Sequence, residues 1–278
     1  MKGYEGMKLS VSAWSVQELL FPKKTNLVEF IDFCKKNKVD AVELLDCFWE
    51  NDEQVGKIKA YLDSIGMPVS CYSVGNDFVK DEKGRQEEIA AVKKGIDIAV
   101  QLGTDRVRVF SGDVVEGISF EQGKSYIIES LKECAAYAEK KGVTLVLENH
   151  GKFAGKGSQV KEIIETVGSK ALRANTDTGN FLLVCENPLD AIKALNGLVG
   201  YVHFKDFTKA SGQGQYQAVD GTGYNGTVIG AGYVQLKEIV DFLYSANYDG
   251  YLSIEFEGDG EPYAGALASI EFAKSIIK

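Results

Sequence analysis

This chain of 278 residues has no basic excess, no paired cysteines, no long apolar run and no Pro/Ser-rich linker. A formal charge of −9 argues against a partner held by phosphate neutralisation, so no nucleic acid is expected. The five cysteines (Cys34, Cys47, Cys71, Cys134 and Cys185) are odd in number and never form a CxxC pair. They read as reduced thiols in a cytoplasm, packed as small hydrophobes. No segment approaches the ~18 continuous apolar residues of a membrane span, and the first residues carry no apolar leader. The expectation is a soluble, cytoplasmic protein with no membrane partner and a small-molecule substrate. A homo-oligomer stays open.

What is present is alternation. Lys8–Trp14 places Leu9, Val11 and Ala13 on one face and Ser10, Ser12 and Trp14 on the other, the pattern of a strand. A helix with Leu27, Val28, Ile31 and Cys34 follows, with Thr25 expected as its cap. The same exchange of periods repeats to the end, and most helix-to-strand turns are marked by Gly or Asn, as at Gly66, Gly103, Gly142 and Gly168. Eight strand-helix units result, and no composition shift divides them. Neither GxGxxG nor GxxxxGK(S/T) follows the first strand, and polar strand tips are spread over strands five to eight, which argues against an open nucleotide-binding sheet. The fold expected is a single (β/α)8 TIM barrel over residues 1–278, with Ser10, Ser12, Glu43, Arg108, Thr144, Asn175 and Ser253 facing its interior.

The chemistry is expected where strands stop. Val143-Thr-Leu-Val-Leu-Glu-Asn-His150 delivers polar groups only at its C-terminal tip, and so do the stretches ending at Asp177, His203 and Glu255. In a barrel these tips converge on the mouth. Three carboxylates gathered there would raise one another's pKa unless a cation intervened, and a divalent ion is the usual solution. One nitrogen among oxygens favours Mn2+ first, then Mg2+ or Co2+, over Zn2+.

At these residues the chain resembles the xylose isomerase-like barrels grouped as sugar phosphate isomerases and epimerases. The resemblance runs from Leu9 to the last helix. It is clearest in Leu147-Glu-Asn-His150, Asp177-Thr-Gly-Asn180, Val202-His-Phe-Lys-Asp206, Val228–Tyr233 and Tyr248–Glu257. It implies that Glu148, Asp177, His203 and Glu255 are metal ligands and that Glu148 and Glu255 act as catalytic acid and base on a keto sugar or polyol. Where ketose 3-epimerases of that group carry a histidine, this chain has Asn180, and their arginine after the seventh strand has no counterpart nearer than Lys209. Endonuclease IV, in the same superfamily, needs several histidines, and only His150 and His203 are present.

Further substrate-binding candidates carry a second reading each. His150 touches a substrate hydroxyl or orients Glu148; Glu43 and Arg108 contact substrate or form structural ion pairs. Trp14 walls the pocket or caps the barrel, and Lys205 holds a substrate group or a salt bridge. Glu257 shares the parity of Glu255 and is expected to support it. Residues 207–232, glycine-rich and poor in apolar residues, are expected to be structureless and to form a mobile lid with Tyr216 or Tyr224 over the substrate. The leading expectation is an isomerase or epimerase working through an enediolate. A dehydratase or lyase of the inosose or 3-keto-sugar type is the first alternative, and a non-catalytic sugar-binding barrel the second.

Overall fold

The computed structural model describes residues 6–277. Its strands are β1 (Lys8–Ser12), β2 (Ala41–Leu45), β3 (Val69–Ser73), β4 (Arg106–Val109), β5 (Thr144–Glu148), β6 (Leu172–Asp177), β7 (Val199–Phe204), β8 (Phe207–Lys209), β9 (Tyr216–Gln217), β10 (Gly223–Gly226) and β11 (Tyr251–Ile254). The helices are α1 (Gln17–Leu20), α2 (Leu27–Lys36), α3 (Asp52–Ile65), α4 (Glu82–Leu102), α5 (Phe120–Lys141), α6 (Gly157–Val167), α7 (Asn180–Leu183), α8 (Pro188–Ala194), α9 (Leu236–Ser245) and α10 (Pro262–Ile277). Eight parallel strands close into a barrel in the order β1-β11-β7-β6-β5-β4-β3-β2. The TIM barrel read from the periodicity is therefore the fold.

Side-chain parity builds two layers. Val42, Leu44, Val107, Val109, Leu145, Leu147, Leu252 and Ile254 point outward into one core with the helices and are fully buried. Each such side chain contributes roughly 1.5–3 kcal/mol on burial. The opposite faces fill the barrel: Cys71, Val146 and Tyr201 form a small apolar plug, and Ser10, Ser12, Glu43, Ser73, Arg108, Asn175, His203 and Ser253 form a polar layer around it. Ends are set locally. α5 starts on a Ser119/Gln122 capping box and stops at left-handed Gly142. The cap of α2 is Asn26, which accepts from Glu29 N at 3.1 Å, and not Thr25, whose hydroxyl instead donates to the Glu29 carboxylate at 2.7 Å.

Residues 207–232 differ from the expectation of a structureless stretch. They contain a three-stranded antiparallel sheet in the order β8-β10-β9, placed between β7 and α9. Three residues, Phe207, Ala218 and Tyr224, bury a satellite core that the low apolar content of the segment hides. Several glycines serve close approach. A Cβ on Gly226 would come within 2.2 Å of the Glu257 carbonyl oxygen, and one on Gly232 within 2.2 Å of Asp206 Oδ1. Asp206 is the fastening point: its Oδ1 accepts from Phe207 N and Val234 N, and its Oδ2 from Gly230 N and Gly232 N, all between 2.9 and 3.0 Å. Among the described residues no helix is long and apolar enough to cross a membrane.

Candidate metal centre and active site

Register brings the four strand tips together. Asp177 on β6 lies level with His203 on β7, His203 level with Ser253 on β11, and Glu255 follows Ser253 by one side-chain period. Glu148 closes β5 beside Asn175 of β6. Glu148, Asp177, His203 and Glu255 are all buried and each offers one ligand atom, the four lying within 4.8 Å of one another. Glu148 and Asp177 end two strands, Glu255 directly follows a third and the imidazole lies on a fourth, so the barrel wall holds them there.

The bonds of each group decide which atoms are left over. Asp177 Oδ1 accepts from Gly179 N at 2.8 Å and Asn180 N at 2.9 Å, while its Oδ2 has no hydrogen-bond partner. His203 Nε2 sits 3.0 and 3.1 Å from the two oxygens of Glu43, while its Nδ1 is unpartnered. That free nitrogen lies 3.3 Å from Glu148 Oε2 and 3.7 Å from Glu255 Oε1. Buried polar atoms without partners are uncommon, and two of them belong to this one cluster. A divalent cation fits this donor set, because it satisfies Asp177 Oδ2 and His203 Nδ1 and neutralises the clustered charge.

Electrostatics describes the same tension. Burial pushes Asp177 up to about 8, with Glu255 and Glu148 reinforcing it against Lys205. Burial also raises Glu255, aided by Glu148 and Glu257. For Glu148 burial is outweighed by the Arg108 guanidinium and by His203, which hold it well below the usual carboxylate range. His203 is held well above an ordinary histidine, since Glu43, Glu255 and Glu148 overcome its burial. Without an ion, the cluster therefore retains protons that a cation would displace.

The other expected residues are distributed around this centre. Asn180 touches two of the four: its backbone N–H binds Asp177 and its Nδ2 donates to Glu148 Oε1 at 3.3 Å. Arg108 Nε is 3.2 Å from Glu148 Oε2, and the guanidinium stacks 3.9 Å over the Phe110 ring. Lys205 Nζ lies 2.6 Å from Glu257, 3.3 Å from Glu255 and 3.6 Å from Asp177. Trp14 donates its indole N–H to Glu257, and Tyr216 donates its hydroxyl to the same carboxylate at 2.6 Å. Tyr224 turns away into the satellite core.

For two residues one of the paired readings drops out. Glu43 makes no substrate-facing surface: it is fully buried beneath His203 and accepts from Ser73, Ser253 and Tyr201 as well. His150 does not orient Glu148, whose hydrogen bonds come from Asn175 and Asn180. It is exposed, packs 4.8 Å from the Phe110 ring, and lines a cavity of about 410 Å3 shared with Asn149, Asn180, Leu183, Val184 and Val219. Asn149 was unassigned by sequence. Its side chain clasps the Asp177 backbone, accepting from N at 2.6 Å and donating to O at 3.0 Å, and so extends the β5–β6 ladder to Asp177.

The comparisons agree with this architecture. The chain is similar to inosose dehydratase from Bacillus thuringiensis (strain Al Hakam), 24% identical over 165 residues that cover 55% of each chain. It thus spans little more than half the length of the curated relatives it matches. Among solved structures it is similar to the IOLI protein with a binding zinc atom, with a TM-score of 0.79 at 18% identity, covering 98% of each chain. An L-ribulose 3-epimerase gives 0.77 at 18% identity, covering 98% of this chain and 94% of that one. At these identities the structures show the fold alone. Residues 31–276 match the family described as xylose isomerase-like TIM barrel, and with the closed parallel barrel in view the chain belongs to that family.

Proposed function

We propose that the chain is a divalent-metal-dependent isomerase or epimerase of a small keto sugar or polyol, abstracting a proton next to a carbonyl. The observation that carries the reading is the pair of glutamates flanking two unpartnered ligand atoms, Asp177 Oδ2 and His203 Nδ1. Glu148, Asp177, His203 and Glu255 would hold the ion, for which Mn2+ suits the oxygen-rich set. A bound divalent ion supplies positive charge to the oxygens beside the cleaved C–H bond. Glu148, kept ionised by Arg108, accepts the proton, and Glu255, whose pKa burial raises, is the group able to return one. Substrate reaches them past His150, Asn180 and Trp14, with Lys205 against a hydroxyl or carbonyl.

A dehydratase is the second reading, favoured by the similarity to inosose dehydratase. The same proton abstraction would then end in loss of a β-hydroxyl. Incubation with Mn2+ and a panel of ketoses, inososes and 3-keto-sugars in D2O separates them. Product carrying carbon-bound deuterium with no loss of water is expected, water loss selects the lyase, and neither with any substrate removes both.

The chain is read as one domain whose residues 207–232 form a lid. Tyr216 reaches Glu257 from this segment, and its ring lies 5.6 Å from Lys205 Nζ. Asp206→Ala removes four charge-assisted bonds at the lid's base and is expected to cost about 3 kcal/mol or more. Denaturant unfolding measures that loss. Amide exchange across 207–232 should speed up in the variant and slow down in the wild type with saturating substrate; rates indifferent to substrate would remove the lid.

A further inference from the structure

We infer that Glu43 is a positioning residue that fixes the orientation of His203, so that Nδ1 is the nitrogen presented to the ion. The inference rests on the metal-binding reading above. It starts from a carboxylate that reaches no solvent, since Glu43 is 0% exposed in the barrel interior. Its oxygens accept from Ser73 Oγ at 2.6 Å, Ser253 Oγ at 2.7 Å and Tyr201 OH at 3.2 Å, which come from β3, β11 and β7. The Tyr201 hydroxyl is itself bonded to Ser70 Oγ at 2.7 Å, and Ser70 to Ser10 Oγ at 2.6 Å. Hydroxyls from several strands therefore hold the carboxylate in place.

A carboxylate so surrounded is an acceptor only, and the remaining partner, His203 Nε2, must bring the proton. The tautomer follows from that bond: with Nε2 carrying hydrogen, a neutral imidazole has its lone pair on Nδ1. Nδ1 is the atom that lies 3.3 Å from Glu148 and 3.7 Å from Glu255 with no hydrogen-bond partner. Turning the ring over would exchange Nε2 for a carbon and leave a fully buried carboxylate short of a donor. The Tyr201 ring, edge-on to the imidazole at 5.7 Å, packs against one side. Glu43 thus orients a ligand without being one, and its charge makes the imidazole a better donor.

Histidine labelled with 15N tests this directly, because the chain has two histidines and His150 is exposed. In wild-type protein loaded with Zn2+, chosen because it is diamagnetic, His203 should show a metallated Nδ1 and a protonated Nε2. Glu43→Gln should weaken the Zn2+ Kd by about 10- to 100-fold, measured by competition with a chromophoric chelator, and disturb the Nε2–H resonance. Glu43→Asp should recover part of that loss. Metallation at Nε2, or an unchanged Kd in folded Glu43→Gln, overturns the inference. If the glutamine variant does not fold, the wild-type spectrum alone decides. Wild-type protein that takes up no Zn2+ fails the metal reading itself, whereas Zn2+ bound through Nε2 fails only the role of Glu43.

Discussion

Glu148→Gln and Glu255→Gln are each expected to lower kcat by about a thousandfold or more while the protein still takes up a divalent ion. General acid-base catalysis by a positioned side chain is worth about 10²–10⁴, and an amide can neither accept nor return the proton. Glutamine keeps the shape of either side chain. At position 148 its single oxygen can accept from only one of Asn175 and Asn180, and Arg108 loses its counter-charge. At position 255 it removes one of three acidic neighbours of Lys205, and Glu257 at 2.6 Å continues to hold that ammonium. Each variant leaves three of the four ligand atoms, so ion binding weakens before it disappears. The losses should not add in the double variant, because two groups serving one proton transfer act as a unit. Steady-state kinetics beside elemental analysis of bound metal reads both quantities. Full turnover in either single variant would overturn the assigned roles.

The sequence made these two residues visible because a barrel converts chain position into spatial position. Each strand ends at the same rim, so Glu148, Asp177, His203 and Glu255 could be brought together with no knowledge of long-range contacts. Parity did equal service for Ser10, Asn175 and Ser253, which line the interior as alternation demands. What stayed hidden depends on which interior residues meet across the barrel. Glu43 and His203 are 160 residues apart, on strands β2 and β7, and no local period pairs them. Asn149 was hidden differently: its parity points away from the interior, yet its short amide turns along the strand to mimic one more ladder step with Asp177. Residues 207–232 misled because a satellite core of three side chains and a single aspartate replaces the apolar periodicity of larger elements. There glycine marks tight packing and not disorder.

Removing the ion with a chelator is expected to abolish turnover and lower the melting temperature, by an amount that grows with pH. At an ion concentration of 100 times Kd, binding contributes about 2.7 kcal/mol, or roughly 5 °C for a chain of this size. The sign of the pH dependence follows from Asp177. Its folded pKa, pushed up to about 8, stands above the ~3.9 of an unfolded aspartate, so the stability it contributes to ion-free protein is complete below that lower value. That contribution is lost as pH rises through 8. Ion binding requires the deprotonated carboxylate and an Nδ1 free of its proton, and His203 without an ion is held protonated by Glu43, Glu255 and Glu148 against its burial. Between one and two protons should therefore leave for each ion bound near pH 6.5, and Kd should tighten about tenfold per pH unit for each of them. The dependence should flatten above pH 8 for the Asp177 part. Calorimetric titration in two buffers of different ionisation enthalpy counts the protons. An affinity constant from pH 6 to 8 with none released would mean that the cation does not sit on Asp177 and His203.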